Sequence, residues 1–173
     1  MFEFMIHLKK STTMTIEKLV DSETYPNPYA LYLEGFQPCD EKVLAYVEGE
    51  LNYQLPEQLR KYYLEIGVGN LVADESQATF SENNILIPTH IPKLIMGTCG
   101  WMMPYTQIEP NTIPFFELAI DSFLCLKPDS DNPNAVWWMW GELMPNGGKI
   151  CDSLVEFFQR LVEDPNWFNP PKP

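Results

Sequence analysis

Basic residues are scarce in this sequence: 11 lysines and arginines stand against 24 aspartates and glutamates, so the net charge is −13 and the pI is near 4.4. A surface with this charge repels nucleic acid and anionic membranes, and it attracts cations and basic proteins. The same charge also suits a domain that simply stays soluble, because net charge says little about the chemistry of a site. We therefore expect neither nucleic acid nor a membrane as a partner.

Long apolar runs and paired cysteines are also lacking. No stretch approaches the roughly 20 apolar residues of a membrane span, and the N-terminal apolar run is too short for a signal peptide. The four cysteines (Cys39, Cys99, Cys125 and Cys151) lie far apart without a Cys-x-x-Cys pair, so neither a zinc pattern nor a small disulfide scaffold is indicated. We expect buried, reduced thiols in a cytoplasmic protein.

The usual signatures of catalysis are missing as well. The two histidines, His7 and His90, have no partner nearby in the sequence, and no serine lies in a Gly-x-Ser-x-Gly motif. The glycine segments "GVG" (67–69) and "NGG" (146–148) are not followed by the Lys-Ser/Thr of a phosphate-binding loop. With 24 carboxylates in the chain, a pair such as Glu117 and Asp121 is weak evidence for an acid and a base. We predict no catalytic residue, no metal and no cofactor; a hydrolase that uses carboxylates and His90 is a third alternative.

What the chain does have is enough apolar material for one domain, with 45% apolar residues among 173. Residues 1–38 hold three closely spaced prolines and read as an irregular, packed arm. A helix is expected after Asp40, a good N-cap, and a second one over "PEQLRKYYLEI" with Pro56 at its first position. Gly67 suits the residue after the end of that helix, where a left-handed conformation is common.

The second half of the chain reads mainly as strands. "NLVA" and "NILIP" are short strand-like runs, and a broken helix and loop follow them. "IPFFELAI" and "SFLCLKP" predict two strands joined by a tight turn at Asp121-Ser122, and "AVWWMW" predicts a third. The "NGG" at 146–148 predicts a hairpin turn before the strand "KIC". A closing helix follows, with Ser153 and Glu156 as its capping box. Helices at both ends of a strand meander indicate an α+β fold.

Two aromatic segments leave alternatives open. "VWWMW" (136–140) is apolar on both faces of a strand, which favours a central, covered strand over a partly exposed docking patch. "CGWMMPY" (99–105) poses the same choice in a loop, where methionine and tryptophan would suit an adaptable protein-binding surface.

Several segments resemble one known family. "LPEQLRKYYLEIGVG" (55–69) is similar to the signature of the SUKH superfamily, roughly L-P-x-x-(L/Y)-(K/R)-x-(F/Y)-(L/Y)-x-x-x-G-x-G. "IPFFELAIDSFLCLKP" looks like the central strand pair of that family, "AVWWMWGE" like its next strand, and "ICDSLVEFFQRL" like its closing helix. The chain departs from the family where Lys127-Pro128 replaces an aspartate that often ends the second strand.

The resemblance implies a single α+β domain over residues 39–168, with a mixed, mostly antiparallel sheet flanked by helices. An N-terminal arm (1–38) would precede it, and a flexible tail (169–173) would follow. It also implies a non-catalytic immunity protein that binds and blocks a toxin, often a nuclease. The alternative is a regulatory scaffold for an endogenous partner, as in the Smi/Knr branch of cell-wall regulators. Self-association stays open.

An immunity role combined with this charge predicts a basic toxin domain as the partner. Acidic side chains would occupy its phosphate-binding cleft, and aromatic side chains would add affinity. The candidate contact residues are Asp74, Glu75, Glu82, Trp101, Met102, Asp129 and Asp131.

Overall fold

A computed structural model describes residues 1–10, 37–68, 84–98, 109–119, 122–139, 148–163 and 167–168. In chain order, its helices and strands are α1 (Glu3–Lys10), α2 (Glu41–Leu51), α3 (Glu57–Glu65), β1 (Asn84–Ile85), α4 (His90–Ile95), β2 (Ile113–Ala119), β3 (Ser122–Leu126), β4 (Val136–Trp138), β5 (Gly148–Cys151) and α5 (Leu154–Glu163). The predicted α+β class is confirmed.

The strands form one meandering sheet in which each strand pairs with the next along the chain, in the order β1-β2-β3-β4-β5. All four of these pairings are antiparallel. The pairing of Ala119 with Ser122 places Ser122 inside β3, so the predicted turn at Asp121-Ser122 is wrong by at least one residue. In a meander, strands that are consecutive in the sequence are neighbours in the sheet, so the sequence could predict the short connections between them.

Helices α3 and α5 pack together through aromatic side chains. The rings of Tyr62 and Phe158 are stacked 4.4 Å apart, nearly parallel. Phe157 packs edge-on against Phe115 and Phe116 of β2, with ring centroids 5.8 and 5.3 Å away. These five side chains are fully buried. These aromatic side chains therefore form the centre of the core.

Helix α3 begins and ends nearly as its sequence predicts. Pro56 has an extended ψ of 139° and is the N-cap, not the first helical residue, so its predicted position is off by one. At the other end, Gly67 has a φ of +97°, and its N–H donates to the carbonyl of Tyr62. The same carbonyl also accepts the N–H of Ile66 at 2.8 Å, so the left-handed glycine closes the end of the helix with a second bond to one acceptor.

The N-terminal residues differ from the irregular arm that the sequence predicts. Residues 3–10 form helix α1, and the side chains of Phe2 and Met5 are buried in the core. Phe2 packs edge-on against Tyr62 and Phe158, at 5.4 and 5.9 Å. A helix this short is marginal by itself, so tertiary packing supplies most of its stability. Residues 11–36, the tail 169–173 and "NLVA" (70–73) lie outside the described residues.

A turn prediction and a capping-box prediction near the C-terminus need correction. Gly148 is already in β5 and pairs with Trp138, so it is not a turn residue; Asn146 and Gly147 lie outside the described residues. Ser153 Oγ accepts the N–H of Glu156, as the capping box requires, but the Glu156 carboxylate accepts the N–H of Asp152 and not that of Ser153. The reciprocal bond of the capping box is thus shifted by one residue.

Candidate partner-binding surface

The seven predicted contact residues fall into two groups. Asp129 and Asp131 are exposed on the segment 127–134, between β3 and β4, which we call the acidic turn. The other five lie outside the described residues: Asp74, Glu75, Glu82, Trp101 and Met102. Of the predicted surface, the structure therefore describes the acidic turn.

Side chains within the acidic turn hold its backbone in place. The N–H and the hydroxyl of Ser130 both donate to the carbonyl of Lys127, at 3.0 and 2.7 Å. The side-chain oxygen of Asn132 accepts the N–H of Asn134 at 3.2 Å, and its amide donates to the carbonyl of Asp152 at 2.7 Å. Bonds of this kind are typical of Asx and Ser turns. The two aspartates consequently project from a braced backbone.

A relay of hydrogen bonds ties the acidic turn to the N-termini of two helices. Pro56 offers α3 no side-chain cap, and the Asn134 side chain supplies one by accepting the N–H of Gln58 at 3.1 Å. The Gln58 side chain in turn accepts the N–H of Val155 at 3.2 Å, in the first turn of α5. Each bond satisfies a donor that a helix start leaves without a partner. Turn, α3 and α5 therefore hold one another in register.

The charges around the acidic turn are unevenly balanced. Glu57 pairs with Lys61 and Glu156 pairs with Arg160, at 2.7 and 2.6 Å. Asp152 pairs with Lys149. No basic residue in the described ranges forms an ion pair with either of the predicted contact residues, Asp129 and Asp131. Their two charges remain available to a cation from another molecule.

Tyr53 extends this surface toward α2, and sequence reasoning did not select it. Its pKa is raised, first by partial burial and second by the negative charge of Asp129. Tyrosine is enriched in protein interfaces and among their hot spots. For the link between α3 and the acidic turn, the signal in the sequence was Pro56. A proline at the N-cap has no polar side chain, so the start of α3 requires an acceptor from elsewhere, which here comes from the acidic turn.

Lys127 has a structural role at the base of the acidic turn. Its ammonium lies 2.6 Å from a carboxylate oxygen of Glu109 and 4.8 Å from the centre of the Trp137 ring. β4 is flanked by β3 and β5, and Val136, Trp138 and Met139 are buried. The interpretation of "VWWMW" as a central strand is confirmed for residues 136–138, with Trp137 only half-buried. Met139 lies just beyond the strand, and Trp140 and the loop 99–105 lie outside the described residues.

The described residues offer little of what catalysis needs. His90 begins α4, and partial burial, with Lys93 as a second cause, lowers its pKa. Burial raises the pKa of Cys125 to about 12 and that of Cys151 to about 11, which makes poor nucleophiles at neutral pH. Within the described ranges, no three of the His, Cys, Asp and Glu side chains cluster as metal ligands. No helix there is long and apolar enough to cross a membrane.

Comparison with known proteins agrees with this architecture. Residues 38–160 match the sequence pattern of the SMI1 / KNR4 family (SUKH-1). The chain belongs to this family. It is also similar to the immunity protein YxxD of Bacillus subtilis (strain 168), with 24% identity over 138 residues that cover 77% of this chain and 86% of that protein. The SUKH resemblance predicted from the sequence is confirmed.

The SUKH match begins just before α2 and ends within α5. It therefore includes the sheet, the acidic turn and both helices of the hydrogen-bond relay, while α1 precedes it. Cys39 marks the entry to the matched region, and its N–H donates to the carbonyl of Tyr63 at 2.8 Å. The candidate surface is thus built from elements of the family fold.

Proposed function

We propose that this protein is a non-catalytic immunity protein that binds and neutralises a basic toxin, of the nuclease type, in the cytoplasm. The observation that carries the proposal is the presence of two carboxylates, Asp129 and Asp131, that have no ion pair within the described ranges and stand on a braced turn of a SUKH domain. A similar protein from Bacillus subtilis is named as an immunity protein, which supports the same role.

The physical argument joins charge to rigidity. A nuclease must bind phosphates and so presents a basic cleft, toward which a protein with a net charge of −13 is steered electrostatically. A backbone that is already fixed loses little conformational entropy when the side chains it carries bind a partner. The relay through Asn134 and Gln58 fixes the backbone that carries Asp129 and Asp131. The acidic turn can therefore take the place of phosphate groups at small entropic cost.

The first experiment is capture of the partner, followed by a test of neutralisation. The tagged full chain is incubated with lysate of its source organism at low and at high salt, and bound proteins are identified by mass spectrometry. We expect a basic toxin domain, which is then co-expressed with the chain in a growth assay. Capture of a cell-wall or housekeeping protein, without protection from any toxin, would favour the regulatory scaffold of the Smi/Knr branch instead.

The binding surface is tested by reversing charge at the acidic turn. The double variant D129K/D131K should weaken toxin binding about tenfold or more at low salt, and less at high salt, because charge complementarity acts mainly on association. The matched control, E3K/E163K, changes the net charge equally at two exposed carboxylates far from the turn in sequence. Equal effects of the two variants would show that only the overall charge matters. Lysine variants of Asp74, Glu75 and Glu82 are compared in the same way with controls that change the net charge equally.

A further inference from the structure

A second surface lies on the exposed side of α2, over its last two turns. Tyr46 leaves 58% of its surface exposed, and Gly49 and Glu50 are part of the same stretch of helix, with Glu50 exposed as well. Residues three and four apart lie on the same side of a helix, so Gly49 and Glu50 border Tyr46. We call these three residues the α2 patch.

Two residues of the α2 patch, Gly49 and Glu50, work against the helix that carries them. Glycine in a helix interior is less favourable than alanine, and a Cβ at Gly49 would have nothing within 4 Å, so space does not require glycine there. Glu50 lies in the last turn, where the helix dipole disfavours negative charge, and that turn contains no basic residue. Tyr46 leaves a large aromatic surface in water.

The charge of Glu50 is not balanced within the described part of the chain. Glu50 has no ion pair there, whereas Glu48 of the same turn accepts the N–H of Leu55 at 3.1 Å and lies 3.3 Å from Arg60. The contrast separates a carboxylate with a structural role from one without. Positions that break local rules without a gain in the folded protein are expected to serve function.

The chemistry of the α2 patch defines what would bind there. A tyrosine ring attracts a cation over its face, and the Glu50 carboxylate beside the negative end of the helix attracts the same charge. The missing side chain of Gly49 lets another molecule approach the backbone closely. We infer that Tyr46, Gly49 and Glu50 form a docking surface for a lysine or arginine side chain of a basic protein partner. This inference rests on the proposed function only for the basic character of the partner.

The inference is tested without knowledge of the toxin. The full chain, labelled with ¹⁵N, is titrated with N-acetyl-Arg-Arg-amide, and amide chemical shifts are followed by NMR; N-acetyl-Glu-Glu-amide is the control ligand. We expect the largest shifts at residues 46–50. The variants Y46A and E50Q should each weaken dipeptide binding about two- to fivefold, the range of an exposed cation–π contact. E163Q, at the end of another helix, should not.

The variant G49A separates function from stability. Alanine should raise the Tm by about 1–4 °C because it favours the helix, while its methyl group should weaken dipeptide binding. Shifts spread evenly over all acidic residues, no binding at millimolar dipeptide, or a G49A variant that binds as the wild type does would each overturn the inference. Dipeptide binding at the α2 patch, with no protection from any co-expressed toxin, would contradict the proposed function alone. Toxin neutralisation that Y46A and G49A leave unchanged would contradict the patch alone.

Discussion

Replacing Gly67 with alanine should destabilise this protein far more than an ordinary glycine substitution. Gly67 has a φ of +97°, and a Cβ built on it would lie 1.7 Å from the backbone oxygen of Gln37 and 2.6 Å from the backbone nitrogen of Pro38. The obstacle is backbone and not a flexible side chain, so the segment that leads into α2 would have to move. The clash therefore cannot be relieved by a change of rotamer.

The magnitude follows from two contributions. A residue with a Cβ costs roughly 1–2 kcal/mol in the left-handed region. Moving residues 37–39 would also break the hydrogen bonds from Val68 N–H to Gln37 at 3.2 Å and from Cys39 N–H to Tyr63 at 2.8 Å, each worth about 0.5–1.5 kcal/mol. We expect a total loss of about 2–5 kcal/mol in the free energy of unfolding, which lowers the Tm by about 4–20 °C for a chain of this length.

The assay is urea unfolding followed by circular dichroism, with Gly49→Ala as the matched control. Gly49 lies in a helix, and a methyl group added there would have nothing within 4 Å. Alanine at this position should therefore raise the free energy of unfolding by about 0.5–1 kcal/mol. The effects of the two variants on the free energy of unfolding should thus differ in sign. A loss below about 1 kcal/mol for Gly67→Ala, smaller than the backbone cost alone, would refute the reasoning.

Two further predictions concern the relay and the buried thiols. Asn134→Ala should cost about 0.5–2 kcal/mol, as the loss of an N-cap does, and should weaken toxin binding by loosening the acidic turn; unchanged urea unfolding would contradict the relay. The thiols of Cys125 and Cys151 should resist iodoacetamide at pH 8 in the folded protein, measured by peptide mapping, since burial raises their pKa to about 12 and about 11. An unfolded thiol ionises near pH 9.0, so above that pH the unfolded state loses protons that the folded state keeps. The free energy of unfolding should therefore fall as the pH rises from about 9 toward 12, and a flat profile would contradict this assignment.

Local chemistry was enough to predict most helices and strands. The stripe of Leu59, Tyr62 and Tyr63 repeats with the period of a helix, and all three side chains are buried. Asp40 accepts the N–H of Lys42 at 2.8 Å, as its position before α2 predicts. These features depend on residues that are near one another in the chain, so the sequence alone specifies them.

Contacts between distant parts of the chain decided the rest. Helix α1 carries no strong local signal and is held by the packing of Phe2 and Met5. The Asn134 side chain caps a helix whose first turn is 76 residues away, and Gln58 reaches 97 residues to Val155. A pattern of neighbouring residues cannot encode such pairs, because an orphan N–H can be satisfied by any acceptor that the fold brings to it. The sequence by itself determined the family, the charge and helices α2, α3 and α5; the tertiary structure decided which carboxylates of the described surface stand on a rigid backbone without an ion pair.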